Sequence, residues 1–268
     1  MALFNVLKTA SNELLDLLYP PGLYCNCCGK ITDNTRTYGL CNDCMSDIRW
    51  AVGRTCNKCG KTLSEGDPGD VCFQCKNHEH CFDRGYSCAE YGMLEKNLLY
   101  ELKYASRGDI GLAIGEIVYD RMAAEFGEDN LRFAYDCVIP IPIHRRRKEK
   151  RGFNQAELIA KAFAEKSGIK CGPDVLIRVK ETGAMKGLGP AERKANIQNA
   201  FEVREGKRKC VENARILLID DIFTTGATMD EAARVLKGAS IDSDGLACAG
   251  AARVDFAVFA SGADVLIS

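Results

Sequence analysis

Two neighbouring carboxylates, Asp220 and Asp221, follow directly on four apolar residues, Ile216 to Ile219, and precede the hydroxyl-rich run Thr224, Thr225, Gly226, Ala227 and Thr228. Residues of these types in this order can do two kinds of work. The small turn, in which Gly226 is free to take a positive φ, offers backbone N–H groups and threonine hydroxyls to a phosphate. A helix expected over 229–237 adds the positive end of its dipole. The carboxylates suit sugar hydroxyls, for which they are strong acceptors, better than phosphate. The combination points to a ligand that carries both a phosphate and a sugar.

Cysteines form the second constellation. Four CxxC pairs, Cys25/Cys28, Cys41/Cys44, Cys56/Cys59 and Cys72/Cys75, fall in two halves, and the second half repeats the first at a period of 31 residues. Even the text recurs, CNCCGK at 25–30 and CNKCGK at 56–61. Each copy has the spacing of a four-cysteine zinc ribbon. Zn2+ is expected in a structural role, because four thiolates leave no open coordination position. The spacing leaves open whether each ribbon holds its own ion. Cys27 lies between two ligands and can substitute for one of them, whereas Cys81, Cys88, His78 and His80 read as surface or packing residues.

A third concentration is basic. Arg145, Arg146, Arg147, Lys148, Lys150 and Arg151 stand against the single Glu149. The segment reads as a loop with three uses open to it: closing over a pyrophosphate, contacting a nucleic-acid backbone, or simply meeting solvent.

The chain that must position these groups has 268 residues, a hydrophobic fraction of 46% and a net charge of −1. That balance excludes a global attraction to polyanions or anionic membranes and leaves only local patches. No apolar run is long enough to span a bilayer. Residues 1–20 read as an amphipathic helix without a cleavage site, so the fifteen cysteines are expected to stay reduced in the cytoplasm. Residues 21–81 form the ribbon region and 82–268 the main domain. In the latter, strands are expected at 82–91, 135–143, 175–179, 215–219 and 246–253. Helices are expected at 94–104, 110–126, 155–167 and 190–198. This alternation predicts an α/β fold with a mostly parallel sheet and its site at the strands' carboxyl ends.

The stretch ILLIDDIFTTGAT, residues 216–228, resembles the phosphoribosyl-pyrophosphate signature of type I phosphoribosyltransferases. Together with ELKY (101–104), RGFNQA (151–156) and ERKANIQNAF (192–201), it is similar to the ComF family. That family joins a double zinc ribbon to a type I phosphoribosyltransferase domain and is associated with bacterial competence. The resemblance implies a sheet of that kind, binding of phosphoribosyl pyrophosphate with Mg2+, and transfer of the phosphoribosyl group to an acceptor it does not identify. Single-stranded DNA or competence proteins are the implied partners. A sensor that binds the ligand without turnover, or a single-stranded DNA-binding competence factor, is the alternative.

Position by position, the resemblance gives Asp220 and Asp221 the ribose hydroxyls and residues 224–228 the 5′-phosphate. Lys103, Arg151, Arg145 and Arg147 fall to the pyrophosphate, and Arg193 becomes either a phosphate ligand or a partner of Asp220 or Asp221. Asn154 and Gln155 stand beside the site. Met185 departs from the family, which carries a glutamine near that point.

Overall fold

The computed structural model describes residues 23–262 apart from 34–35, 65, 68, 105–106, 183–188, 239 and 242–246. The helix expected at 1–20 and Met185 lie outside the described residues.

The cysteine repeat is also a geometric repeat. Each copy opens with a knuckle closed by a bridge, Tyr24 with Ile31 and Thr55 with Thr62. Cys25 N–H donates to Lys30 O at 2.8 Å and Cys56 N–H to Lys61 O at 2.7 Å. Gly29 and Gly60 turn the chain with φ of 71° and 74°, a conformation that costs little only without a Cβ. The second CxxC of each copy begins a short helix, α1 (Asn42–Asp47) or α2 (Phe73–Lys76).

The main domain then runs β1 (Gly85–Glu90), α3 (Met93–Tyr104), α4 (Gly108–Phe126), α5 (Glu128–Leu131), β2 (Cys137–Pro140), α6 (Arg145–Arg151), α7 (Gln155–Ser167), β3 (Leu176–Arg178) and α8 (Pro190–Ile197). It continues with β4 (Phe201–Val203), β5 (Arg215–Phe223), α9 (Ala227–Lys237), β6 (Ser240–Ile241), β7 (Ala247–Cys248) and β8 (Arg253–Ser261). A four-stranded sheet, all parallel, has the order β1-β8-β5-β2.

Strand β5 lies inside this sheet, and its side chains alternate between the two faces. Leu217 and Ile219 join the core under α4 and α7, while Ile216 and Leu218 join the core under α9 and the antiparallel β3–β4 pair.

Four expectations need correction. The acidic pair belongs to β5 itself, which continues to Phe223 rather than stopping at 219. Residues 175–179 give a strand that pairs antiparallel with β4 outside the main sheet, because β4 supplies a local partner. The strand expected over 246–253 is only the two-residue β7, and the central strand β8 begins where it was to end. The basic stretch is not a loop but the helix α6, held by Arg145–Glu149 at 2.8 Å one turn apart and closed by Gly152 in the left-handed region.

The ribbon region is seated on the edge of the sheet. Trp50 bridges Ala89 antiparallel, Ala51 N–H donates to Cys88 O at 2.8 Å, and Glu90 N–H donates to Arg49 O at 2.8 Å. The linker between the ribbons thus pairs with β1 and covers an edge that would otherwise offer bare N–H and C=O groups. At the second knuckle, Gly85 N–H donates to Lys58 O at 2.8 Å. A Cβ on Gly60 would stand 2.5 Å from Gly85 O, so the fit requires glycine there.

Candidate functional site

Alternation along β5 has a direct chemical result: Asp220 and Asp221 project to opposite sides of the sheet's carboxyl end. On the side of α3, Asp221 is buried and ion-paired with Lys103, which stands in the last turn of that helix. Burial works against ionisation of Asp221, yet the Lys103 ammonium holds its carboxyl below the ordinary value. Burial likewise disfavours the charged Lys103, and the Asp221 carboxylate outweighs it and raises the lysine's pKa.

Asp220 is half-buried and accepts the Asp221 N–H on Oδ1 at 2.9 Å. Burial, and then the neighbouring Asp221 charge, push its carboxyl well above the usual range. Its electrostatic partners include Arg178, at the end of β3, a residue with no local sequence signal to single it out. Burial first, and the nearby Arg147 charge second, lower Arg178 to about 10. Arg178 and Arg147 are drawn together by one residue: Arg178 donates to Thr182 Oγ1, and Arg147 Nη2 donates to Thr182 O at 2.8 Å. Arg178 Nε is buried without a hydrogen-bond partner. Two guanidiniums gathered on one residue, one of them with an unused buried donor, are costly unless an anion completes the group.

Arg151 faces the same region: its charge acts on Lys103, and its Nη1 donates to Gln155 Oε1 at 3.2 Å. Asn154 Nδ2 donates to Ile141 O at 3.0 Å, tying the start of α7 to the end of β2. Other basic residues of α6 are spent on neighbours. Arg145 pairs with Glu149, Arg146 with Glu181 at 2.5 Å and Lys148 with Glu157 at 2.9 Å. Arg145 is also turned to solvent, with 88% of its side chain exposed, which removes it from the cluster around Asp220. Glu192 caps its own helix, accepting Gly189 N–H at 2.7 Å. Arg193 is half-buried on α8, and the cation that meets Asp221 is Lys103.

The turn after β5 has the shape its residues imply. Gly226 takes φ of 86°, and α9 starts at Ala227, so Ala227 and Thr228 belong to its first turn. Thr224, Thr225, Ala227 and Thr228 are all partly exposed.

Both cysteine clusters suit zinc. Cys25, Cys28, Cys41 and Cys44 gather in one group and Cys56, Cys59, Cys72 and Cys75 in another, with ligand atoms within 4.8 Å of one another. Cys28–Cys41 and Cys59–Cys72 are 3.7 Å apart, close to the roughly 3.8 Å edge of a tetrahedron with Zn–S bonds of about 2.3 Å. Cys41 N–H and Cys72 N–H reach Cys25 and Cys56 Sγ at 3.3 Å each, bonds that favour thiolate. Each ribbon therefore has its own complete ligand set. Cys27 stands apart, its Sγ near Leu94 O at 3.7 Å, and burial pushes its thiol up to about 11. Among the described residues no helix is long and apolar enough to cross a membrane.

Residues 14–76 match the double zinc ribbon domain family. The DNA utilization protein YhgH of Salmonella typhi is 28% identical over 74% of this chain and 84% of its own length. Competence protein F of Haemophilus influenzae is 26% identical, over 64% of this chain and 74% of that protein. Competence protein ComFC of Bacillus subtilis is 36% identical over 40% and 42% of the two chains. Paired ribbons seated on a parallel sheet, together with these relatives, support the resemblance to the ComF family.

Proposed function

We propose that the carboxyl end of β5 binds phosphoribosyl pyrophosphate and that the protein transfers its phosphoribosyl group. The observation that carries this reading is the Lys103–Asp221 ion pair on one side of the strand end, with Arg178, whose charge interacts with Asp220, gathered with Arg147 on Thr182. In this reading Thr224, Thr225, Gly226, Ala227 and Thr228 hold the 5′-phosphate through backbone N–H groups and hydroxyls. Asp220 and Asp221 accept the ribose hydroxyls from the two sides of the strand end. Arg147, Arg178, Arg151 and Lys103 meet the pyrophosphate.

The protein's share of the chemistry is positioning and charge. As the bond at ribose C1 breaks, negative charge grows on the departing pyrophosphate, where the guanidiniums and Lys103 stand. Positive charge grows on the ring, near Asp220. Asp220 is a hard oxygen donor, and with oxygens of the ligand it would hold Mg2+, which neutralises part of the pyrophosphate charge when bound. The names of the relatives set this reading in competence and DNA utilization. Single-stranded DNA therefore belongs among the acceptors and partners to be tried.

Calorimetric titration with phosphoribosyl pyrophosphate and Mg2+ tests the reading. Wild-type protein should bind, and Asp220→Asn should weaken binding roughly 10–100-fold, the loss expected for about 1.5–3 kcal/mol of charged hydrogen bonding. Equal affinity in the two proteins would sink the site. Pyrophosphate release, measured with nucleobases and single-stranded DNA as acceptors, then separates transferase from sensor: binding without release by any of them supports the sensor.

A further inference from the structure

Below the second ribbon, the chain reaches β1 through a segment without helix or strand that carries two histidines two residues apart. Bends at 77–78 and 81–83 bracket the pair, and the two imidazoles come together at one place. There they meet Asp230, in the first turn of α9. His80 Nδ1 is 2.9 Å from Asp230 Oδ2 and His78 Nε2 is 3.7 Å from the same oxygen. The three ligand atoms lie within 4.8 Å of one another.

We propose that His78, His80 and Asp230 form a third metal site, separate from the two thiolate clusters, for zinc or a similar borderline divalent ion. The spacing fits: bonds of about 2.0–2.1 Å to nitrogen and oxygen put tetrahedral ligand atoms roughly 3.3 Å apart, between the two distances observed. The ligands are also aimed. Asp230 Oδ1 accepts Cys81 N–H at 2.9 Å, which turns Oδ2 towards both imidazoles. His80, with only 3% of its side chain exposed, is stacked on Phe82 at 4.5 Å, and its ring meets that of His78 edge-on at 4.9 Å.

Phe82 in turn packs edge-on against Phe223 and Phe256, so the histidine plane is set by the aromatic core. Two imidazoles and one carboxylate favour zinc or cobalt over magnesium, which prefers an all-oxygen shell.

Three protein ligands leave one position open, the pattern of a reactive rather than a purely structural zinc site. The same residues line a cavity of about 800 Å³, together with Thr225, Lys194 and Arg234. An ion there would present its open position to water or to an anionic oxygen entering that cavity. The site also touches the turn after β5, since a Cβ on Gly226 would lie 3.1 Å from His80 Cε1. It rests on its own three ligands and does not depend on phosphoribosyl pyrophosphate being the ligand next door.

The competing role for these residues is a plain His80–Asp230 hydrogen bond joining linker to helix, and His78 separates the two, because a staple has no use for it. Full-length protein with both ribbons loaded, freed of weakly held metal, is titrated with Zn2+. One further equivalent should bind, and His78→Ala should weaken it by about 10–100-fold, the loss that even an outer-shell change produces. That variant should keep both ribbon ions and its melting temperature, since His78 is half-exposed. Co2+ should give ligand-field absorption without thiolate charge transfer, and excess Mg2+ should not compete. Failure to bind a further equivalent, unchanged affinity in His78→Ala, or a charge-transfer band placing the ion on ribbon thiolates would each overturn the site.

Discussion

Asp220 and Asp221 share a strand end but have opposite relations to stability. The folded Asp221 carboxyl titrates below its ordinary value of 3.8, so its contribution is present above that value and is lost as pH falls through the lowered one. Asp220 titrates well above 3.8, so its contribution is full below that value and disappears as pH rises through the raised one. At neutral pH an ionised Asp220 is therefore a cost that the ligand-free fold carries. Asp220→Asn keeps the acceptor for Asp221 N–H and removes the charge. It should melt about 2–4 °C higher than wild type at pH 7, the shift that about 1 kcal/mol produces in a domain of this size. The gain should vanish as pH drops towards 3.8. A lower melting temperature at pH 7 would show that Arg178 already compensates the carboxylate without a ligand. The acidic pair and the threonine turn were legible because they are contiguous. Arg178 was not, because nothing in Leu176–Arg178 marks it, and only Thr182 and the pairing of β3 with β4 bring it towards Asp220.

The repeated glycines of the two knuckles permit a comparison within one molecule at the level of the element. Both have positive φ, so alanine at either costs roughly 1–2 kcal/mol in backbone strain. A Cβ on Gly29 meets nothing within 4 Å, while one on Gly60 meets Gly85 O at 2.5 Å and Tyr86 Cα at 2.8 Å. Gly60→Ala should therefore cost clearly more than Gly29→Ala in denaturant unfolding and loosen the second ribbon from β1. Equal costs would mean that the seat yields.

The elements are unevenly legible in the sequence, for physical reasons. Helix α7 was exact because Asn154 and Gly168 punctuate it on either side. Strand β8 was missed because Asp255 interrupts an apolar run. In the fold that carboxylate is fully buried and satisfied by Tyr135 Oη at 2.7 Å, Arg84 N–H at 3.1 Å and the Arg253 guanidinium. A distant tyrosine and a distant backbone amide make a charged residue compatible with a central strand, and neither is visible locally.

For the molecule as a whole, the duplication was plain in the cysteine spacing, whereas the seat of the ribbons on the sheet was not. That seat depends on Arg49–Ala51 finding β1 across the fold. Metal removal tests how far the two regions support each other. Chelation should release both ribbon ions and speed amide exchange in β1, while β5 and β2, at the opposite side of the sheet, stay protected. Loss of protection in β5 as well would mean that the zinc region holds the entire sheet together.

The antiparallel contact between Trp50 and Ala89 carries one more implication. A chain stripped of its ions presents the β1 flank as a ready template, and the nearest complementary surface in a concentrated solution is another stripped chain. Zinc loading should thus keep these molecules apart as well as whole, and light scattering before and after chelation would check it.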